Sequence, residues 1–391
     1  MLRHCFGCWI LLLVTTGNAD GQVRVVGPGL LTTIQDDEPP LPRSMTAAEA
    51  ARWTLPEITS DLKPVGTIRT PPEYARNDAL LLRWGSFNSV ITEITVAVTT
   101  QTADADVLLI VSGSTQQVSA AAILAAAGAR MERVQFVQMS SDSVWIRDYG
   151  PRSLFVDNDR ALMDHTYNRP RPLDNQIPAI LAELTERPLY ELPLVHGGGN
   201  FHLFDNGQAF MTSLILDENP EITADDIVSA YTEYHNLDLT LIDPFPAAYD
   251  PTQHLDMWFL PVSNNTVIIG EYDILEGNGI PRKVTEEAAE LMEIRGYKVL
   301  RTPGWRADGN HYTYANSIII NEAVLLCQFS GYEVENSLAV AVFKDAFPAH
   351  VIVLIDCSDI IGFSGAIHCI VMHQAEVPDH LFGDRFDLSH R

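Results

Sequence analysis

From about Pro71 onward the chain alternates between two apolar patterns, and this alternation limits the possible folds more than any other feature. Short runs rich in valine, isoleucine and leucine, such as "DVLLIVSG" and "VQFVQM", read as buried strands. Between them lie stretches with helical spacing. "QQVSAAAILAAAGARM" closes near Gly128, and "ITADDIVSAYTEYHN" sets Thr223 and Asp226 at capping-box spacing. "VTEEAAELMEIRGY" places two glutamates in a first turn and a glycine at the end, and "EVENSLAVAVFKDAFPAHVIVLID" reads as helix, proline stop and strand. Strand and helix alternating throughout make the class α/β. No fixed-period repeat, low-complexity tract or internal domain boundary interrupts the pattern.

Ahead of this body the chain opens "MLRHCFGCWILLLVTTGNADGQ". Arg3, an apolar run from Cys5 to Val14 and small residues at Gly17 and Ala19 form a secretory pattern, too short to span a bilayer as a helix. Residues 1–19 are therefore expected to be a signal peptide, and the protein to be secreted or periplasmic. Residues 20–64, which include "DDEPPLPR", read as a flexible leader ordered only where it touches the body. The body itself is expected over 65–383, with a tail at 384–391. A formal net charge of −26 repels nucleic acid and anionic membrane and mildly attracts cationic substrates, although it serves solubility equally well. No second apolar run approaches the roughly 20 residues a membrane helix needs, so no membrane partner is expected after signal removal. Loss of Cys5 and Cys8 with the signal leaves Cys327, Cys357 and Cys369, an odd number, so at least one thiol is free or bonds another chain.

The residues with chemical potential sit at the ends of the strand patterns, where α/β proteins usually build their sites. Cys369, in "GFSGAIHCIVMHQ", becomes a nucleophile if a cation or histidine lowers its pKa. His368 is adjacent, but neighbours in an extended chain face opposite ways, so a histidine from elsewhere is the better partner. "HLDMWF" offers His254 and Asp256, which on a strand would share one face. The same pair could be half a metal site completed by His196, His202 or His373, but no Cys-x-x-Cys or His-Glu-x-x-His spacing supports a metal. "WIRDYGP" places Trp145, Arg147 and Asp148 before a Gly-Pro turn, where the aspartate could pair with a cation while the tryptophan covers an apolar stem. "HGGGN" frees the backbone to come close to something.

Taken in order, W-x-R-D-x-G-P, G-G-N, H-x-D, Y-x-N-S and G-x-x-H-C make the chain resemble the guanidine-deiminating enzymes, from about Pro71 to about Gln374. The branch it resembles holds the agmatine deiminases and the Porphyromonas-type peptidylarginine deiminases. The resemblance implies an α/β propeller of five ββαβ modules around a central funnel. It also implies that Asp148 and Asp256 bind guanidinium nitrogens, that Cys369 attacks the guanidinium carbon, and that His254 protonates the leaving ammonia and then activates water. Trp145, Asn316, Gly198 and Asn200 are expected to contact substrate, and no metal or organic cofactor is implied.

Two features bear on the substrate. Deiminases of free arginine and agmatine typically carry a glutamate before the paired glycines, where this chain has Gly197. In "YNRPRPLDN" the prolines hold Arg169 and Arg171 extended, where two guanidiniums could grip the carboxylate of a C-terminal arginine. The expected function is a secreted deiminase of arginine in peptides, preferably at a C-terminus. Agmatine or another small guanidine is the first alternative, ahead of a silent guanidinium-binding protein and a metal-dependent hydrolase. Cys327 and Cys357 lie on strands flanking one helix, and either a disulfide or two buried thiols fits.

Overall fold

The structure is a computed structural model and describes residues 23–25, 40–56, 58 and 62–377. The expected signal peptide, the tail at 384–391 and part of the leader lie outside the described residues.

Among the described residues the strands form five small sheets. In the second, Arg152–Val156 and Asp159–Tyr167 pair antiparallel, and Leu189–His196 then adds in parallel. The third repeats this with Phe201–Leu203, Gln208–Thr212 and Asp238–Ile242. The fourth uses Phe259–Ser263, Thr266–Glu271 and Lys298–Ala307, and the fifth Ile318–Ile320, Ala323–Gln328 and Val351–Asp356. An antiparallel pair needs only a tight turn. Asp157 and Asn158, with φ of 52° and 75°, make one whose twist suits a two-residue hairpin. A parallel strand needs a long crossover, and here each is a helix: Ile177–Thr185, Ala224–His235, Ile280–Ile294 and Glu333–Ala346.

The first sheet closes the ring. Asn77–Arg83 and Asp106–Val111 are parallel across the helix Asn88–Gln101, but the antiparallel partner of Asn77–Arg83 is Val371–Ala375, from the far end of the chain. The result is an α/β propeller of five blades. In the first blade both faces are covered, so Asp106–Val111 is buried from Val107 to Val111 and reads as a continuous apolar run. In the fifth blade Cys327, on Ala323–Gln328, is joined by a disulfide to Cys357, just past the end of Val351–Asp356, with Cα atoms 5.4 Å apart, while Cys369 is free.

Two local expectations need correction. The helix ending at Gly296 starts at Ile280, because Gly279, with φ of 75°, turns the chain into it and Pro281 preorganises its first turn. The glutamates Glu286 and Glu287 therefore stand in the second turn. The H-x-D stretch is not strand: Leu255–Met257 is a 3₁₀ turn entered from an extended His254.

Candidate active site

Each of the five motifs is a connection from one blade to the next. Trp145 to Asp148 lie between blades one and two, on and just before the short helix Ile146–Tyr149. Gly198–Asn200 is a 3₁₀ turn between blades two and three, and His254 and Asp256 lie between three and four. Asn316 joins four to five, and the turn His368–Ile370 leads from five back to the closing strand. The order of motifs along the chain is thus the order of blades around the ring.

At the centre of these connections lies a guanidinium, and it comes from the chain's own leader. Arg43 Nε and Nη2 donate to Asp148 Oδ2 and Oδ1 at 2.9 and 2.7 Å. Nη1 and Nη2 donate to Asp256 Oδ1 and Oδ2 at 3.0 and 2.9 Å. Nη1 also lies 2.7 Å from Cys369 Sγ, and Nη2 faces His254 Nδ1 at 2.8 Å. All five side chains are buried. Two carboxylates therefore hold the planar cation in the forked geometry that guanidinium favours, with a thiol and an imidazole against its nitrogens.

The charges follow from this packing. Burial alone would raise Asp148 and Asp256, yet the Arg43 guanidinium overcomes it, aided at Asp148 by His254 and at Asp256 by His368, and holds both below the usual carboxylate range. For Cys369 burial dominates and pushes the thiol up, while the guanidinium beside it pulls the other way. Thiolate formation is thus easiest while a cation fills the cage.

Glycine makes the approach possible. A Cβ at Gly199 would collide with Arg43 Nη2 and lie 2.8 Å from both Asp148 Oδ1 and Asp256 Oδ2, and the Gly199 N–H donates to Asp148 Oδ1. The ring of His254 occupies the space in which a side chain at Gly197 would begin, 2.6 Å from His254 Cε1. A glutamate at 197 would need His254 elsewhere. Just beyond, Asn168 donates to Glu218, a buried carboxyl raised by burial to about 7. Among the described residues, the remaining Glu218 oxygen and His254 Nε2 have no hydrogen-bond partner.

Behind the cage runs a second buried network. His368 and Cys369 do not face opposite ways as an extended chain would have them: His368–Ile370 is a 3₁₀ turn, and both side chains approach Asp256 Oδ2. His368 Nδ1 meets Asp256 Oδ2 at 3.0 Å, and its Nε2 meets Glu73 at 2.6 Å. Arg147 donates to Glu73 at 2.6 Å and faces His373 Nδ1 at 2.8 Å, turned away from Asp148. Asn316 lies within 3.3 Å of Cys369 Sγ through its side-chain oxygen and donates to the Asp256 carbonyl. Trp145 is buried beside the same turn: a Cβ at Gly365 would meet Trp145, Cys369 Sγ and the Arg43 stem together.

Some expected contacts lie elsewhere. Gly198 packs on the Arg147 carbonyl, and Asn200 binds Thr212 and the Leu255 N–H, so both brace the neighbouring turns while Gly199 meets the cation. Arg169 donates to the carbonyl of Arg43, and Arg171 to those of Pro42 and Ser44. The carboxylate that Arg171 grips is Glu49, at 2.8 and 3.3 Å. His196 and His373 do not join His254. His196 stacks on His165, and His373 serves Arg147. Glu73, His202 and His368 do approach within metal-ligand range of one another, but behind Asp256, with Glu73 already paired to Arg147. Sequence reasoning missed Arg43, Glu73, Gly199 and Glu218. Arg43 carried one signal, its place after the stiff "PPLP" run.

Known proteins match this chain along most of its length. The family model described as Porphyromonas-type peptidyl-arginine deiminase matches residues 69–375. A Streptomyces coelicolor protein named as a candidate agmatine deiminase is 24% identical over 351 residues, covering 79% of this chain and 99% of the relative. An agmatine deiminase of Enterococcus faecalis superposes with a TM-score of 0.68 at 19% identity, over 79% of this chain and 96% of that one. A candidate arginine deiminase of Porphyromonas gingivalis gives 0.70 at 19% identity, over 79% and 99%. The chain belongs to the Porphyromonas-type peptidyl-arginine deiminase family and is a hydrolase of guanidino C–N bonds.

Proposed function

We propose that the protein hydrolyses the guanidinium of a small guanidine of the agmatine type to a ureido group and ammonia, with Cys369 as nucleophile and His254 as proton carrier. The observation that carries this is the caged guanidinium: both carboxylates on its nitrogens, with thiol and imidazole within 2.8 Å of them. A guanidinium is a poor electrophile because its charge is delocalised. Pinning it between Asp148 and Asp256 fixes its plane and balances that charge while sulfur adds to carbon. The adduct expels the nitrogen facing His254 as ammonia, with the imidazole supplying the proton. Water, deprotonated by the same imidazole, then displaces sulfur and leaves the ureido product. Asn316 holds Cys369 in place, and the small Gly199 lets the cation lie flat against the backbone.

The small-guanidine reading is supported by relatives of nearly full length that bear the agmatine deiminase name. A second reading, arginine within a peptide, is favoured by one observation: the guanidinium in the cage belongs to a polypeptide, whose backbone carbonyls Arg169 and Arg171 hold. Export, read from the N-terminal pattern, agrees with the Cys327–Cys357 disulfide.

The test uses Arg43→Ala protein, so that the cage is open, with agmatine, a peptide ending in arginine and one with internal arginine at equal concentration. Ureido product chiefly from agmatine, abolished by Cys369→Ala, is the expected result. Turnover chiefly of a peptide replaces the first reading with the second. No product from any of the three overturns the function.

A further inference from the structure

Resting on that reading, we propose that Arg43 is this enzyme's own first substrate, deiminated within the same chain, and that its conversion opens the site to external guanidines.

Arg43 is placed as a reactant. Each of its three nitrogens is held by a carboxylate, and Nη2, the nitrogen facing His254, is the one whose departure the imidazole can assist. The segment around it is bound as a peptide ligand would be. The Arg43 N–H donates to the Phe363 carbonyl at 2.9 Å, and its own carbonyl accepts from Arg169 at 3.2 Å. Trp145 Nε1 donates to the Leu41 carbonyl at 2.9 Å, and Arg171 spans the carbonyls of Pro42 and Ser44. Downstream, Glu49 closes a capping box with Thr46 and is itself held by Arg171. While this segment is seated, no second guanidinium can reach Asp148, Asp256 or Cys369.

The chemistry balances without an added reactant except water. With one proton shared between Cys369 and His254, the thiolate bonds to Cζ and the Cζ–Nη2 bond breaks, Nη2 leaving as ammonia with the imidazolium proton. Water adds to Cζ and returns a proton to the imidazole. The Cζ–Sγ bond then breaks, restoring the thiolate. Arginine plus water becomes a citrulline side chain plus ammonium, with no change in oxidation state.

The product no longer fits. A neutral ureido group forfeits the charge that both aspartates were balancing. Its oxygen also replaces a nitrogen that donated to Asp148 Oδ1 and Asp256 Oδ2, setting lone pairs against lone pairs. Conversion therefore ejects Arg43 rather than trapping it.

The experiment follows residue 43 by peptide mass spectrometry in the full chain incubated after purification. The expected result is the gain of one mass unit at residue 43 and loss of the tryptic cut there, at a rate independent of protein concentration. Cys369→Ala protein keeps its arginine. Isotope-labelled Cys369→Ala chain mixed with wild type should also stay unmodified, and its conversion would overturn the same-chain assignment. Arg43→Ala protein, assayed on agmatine and arginine peptides, separates self-deimination from hydrolysis of external guanidines. If it turns substrate over while wild-type Arg43 stays unconverted, self-deimination is wrong and the function stands. If neither reaction occurs, both fall.

Discussion

Two arginines are buried against carboxylates within this one site, and they behave as opposites. Arg147 comes from a blade connection, sits behind Asp256, and joins Glu73 to His373 and the His368 carbonyl. Arg43 comes from the leader, sits in front, and meets Asp148, Asp256, His254 and Cys369. Both pairings repay the desolvation of buried acids. Only one lies against a thiol. The rear guanidinium is part of the scaffold because blade packing holds both its backbone and its partners. The front one is a ligand, because its chain segment is attached through hydrogen bonds that another peptide or guanidine could make. A site for a cation is therefore built from two buried carboxylates with a second cation behind them, and the positive charge in front is supplied here by Arg43.

The largest effect should separate the two arginines by stability. Arg147→Leu leaves Glu73 buried beside His368 and is expected to cost about 3–5 kcal/mol in urea unfolding. Arg43→Leu should cost less than half of that, since its leader segment, held only by hydrogen bonds, can unseat and admit water to the two aspartates. Equal losses would mean that the leader is as much scaffold as the blades.

Gly199→Ala is the next step down. Its Cβ would collide with the guanidinium and crowd one oxygen of each aspartate, at 2.8 Å. A loss of about 100-fold in kcat/KM with an unchanged unfolding midpoint is expected, on the scale of a roughly 1 Å misplacement. Retained activity would remove Gly199 from the cage wall.

The smallest effect is in pH dependence. Asp148 and Asp256 are depressed when folded, so their stabilisation is present above the ordinary carboxylate pKa of about 4 and is lost as pH falls toward the folded values. Urea midpoints of the wild type should therefore fall below about pH 4, whereas Arg43→Leu, lacking the cation that depresses both acids, should show a shallower acid limb. Parallel acid limbs would show that the front guanidinium does not set the carboxylates.

Much of this was legible beforehand. The strands and crossover helices lie where the apolar runs and caps put them, as with Asp106–Val111 and the Thr223–Asp226 box. Cys369, His254, Asp148 and Asp256 converge because each stands at a blade junction, and junctions leave recognisable short motifs. Less legible was which member of a motif meets the cation. Gly198, Gly199 and Asn200 read alike, and only the 3₁₀ turn between them turns Gly199 inward. The "HLDMWF" pair illustrates the same limit, since a turn and a strand both satisfy its local pattern.

Local pattern by itself determined the α/β class and the cast of charged and thiol groups, because helix and strand preferences act over a few neighbouring residues, whereas the five modules were legible only through the family resemblance. Tertiary structure alone decided that residue 43 would meet partners 105 and 213 positions away. It likewise decided that Cys327 would bond Cys357, leaving Cys369 free. A lone arginine in a proline-rich leader is ordinarily left in water. What draws this one inside is the desolvated charge of two aspartates, and that charge is desolvated only once five blades have closed around it.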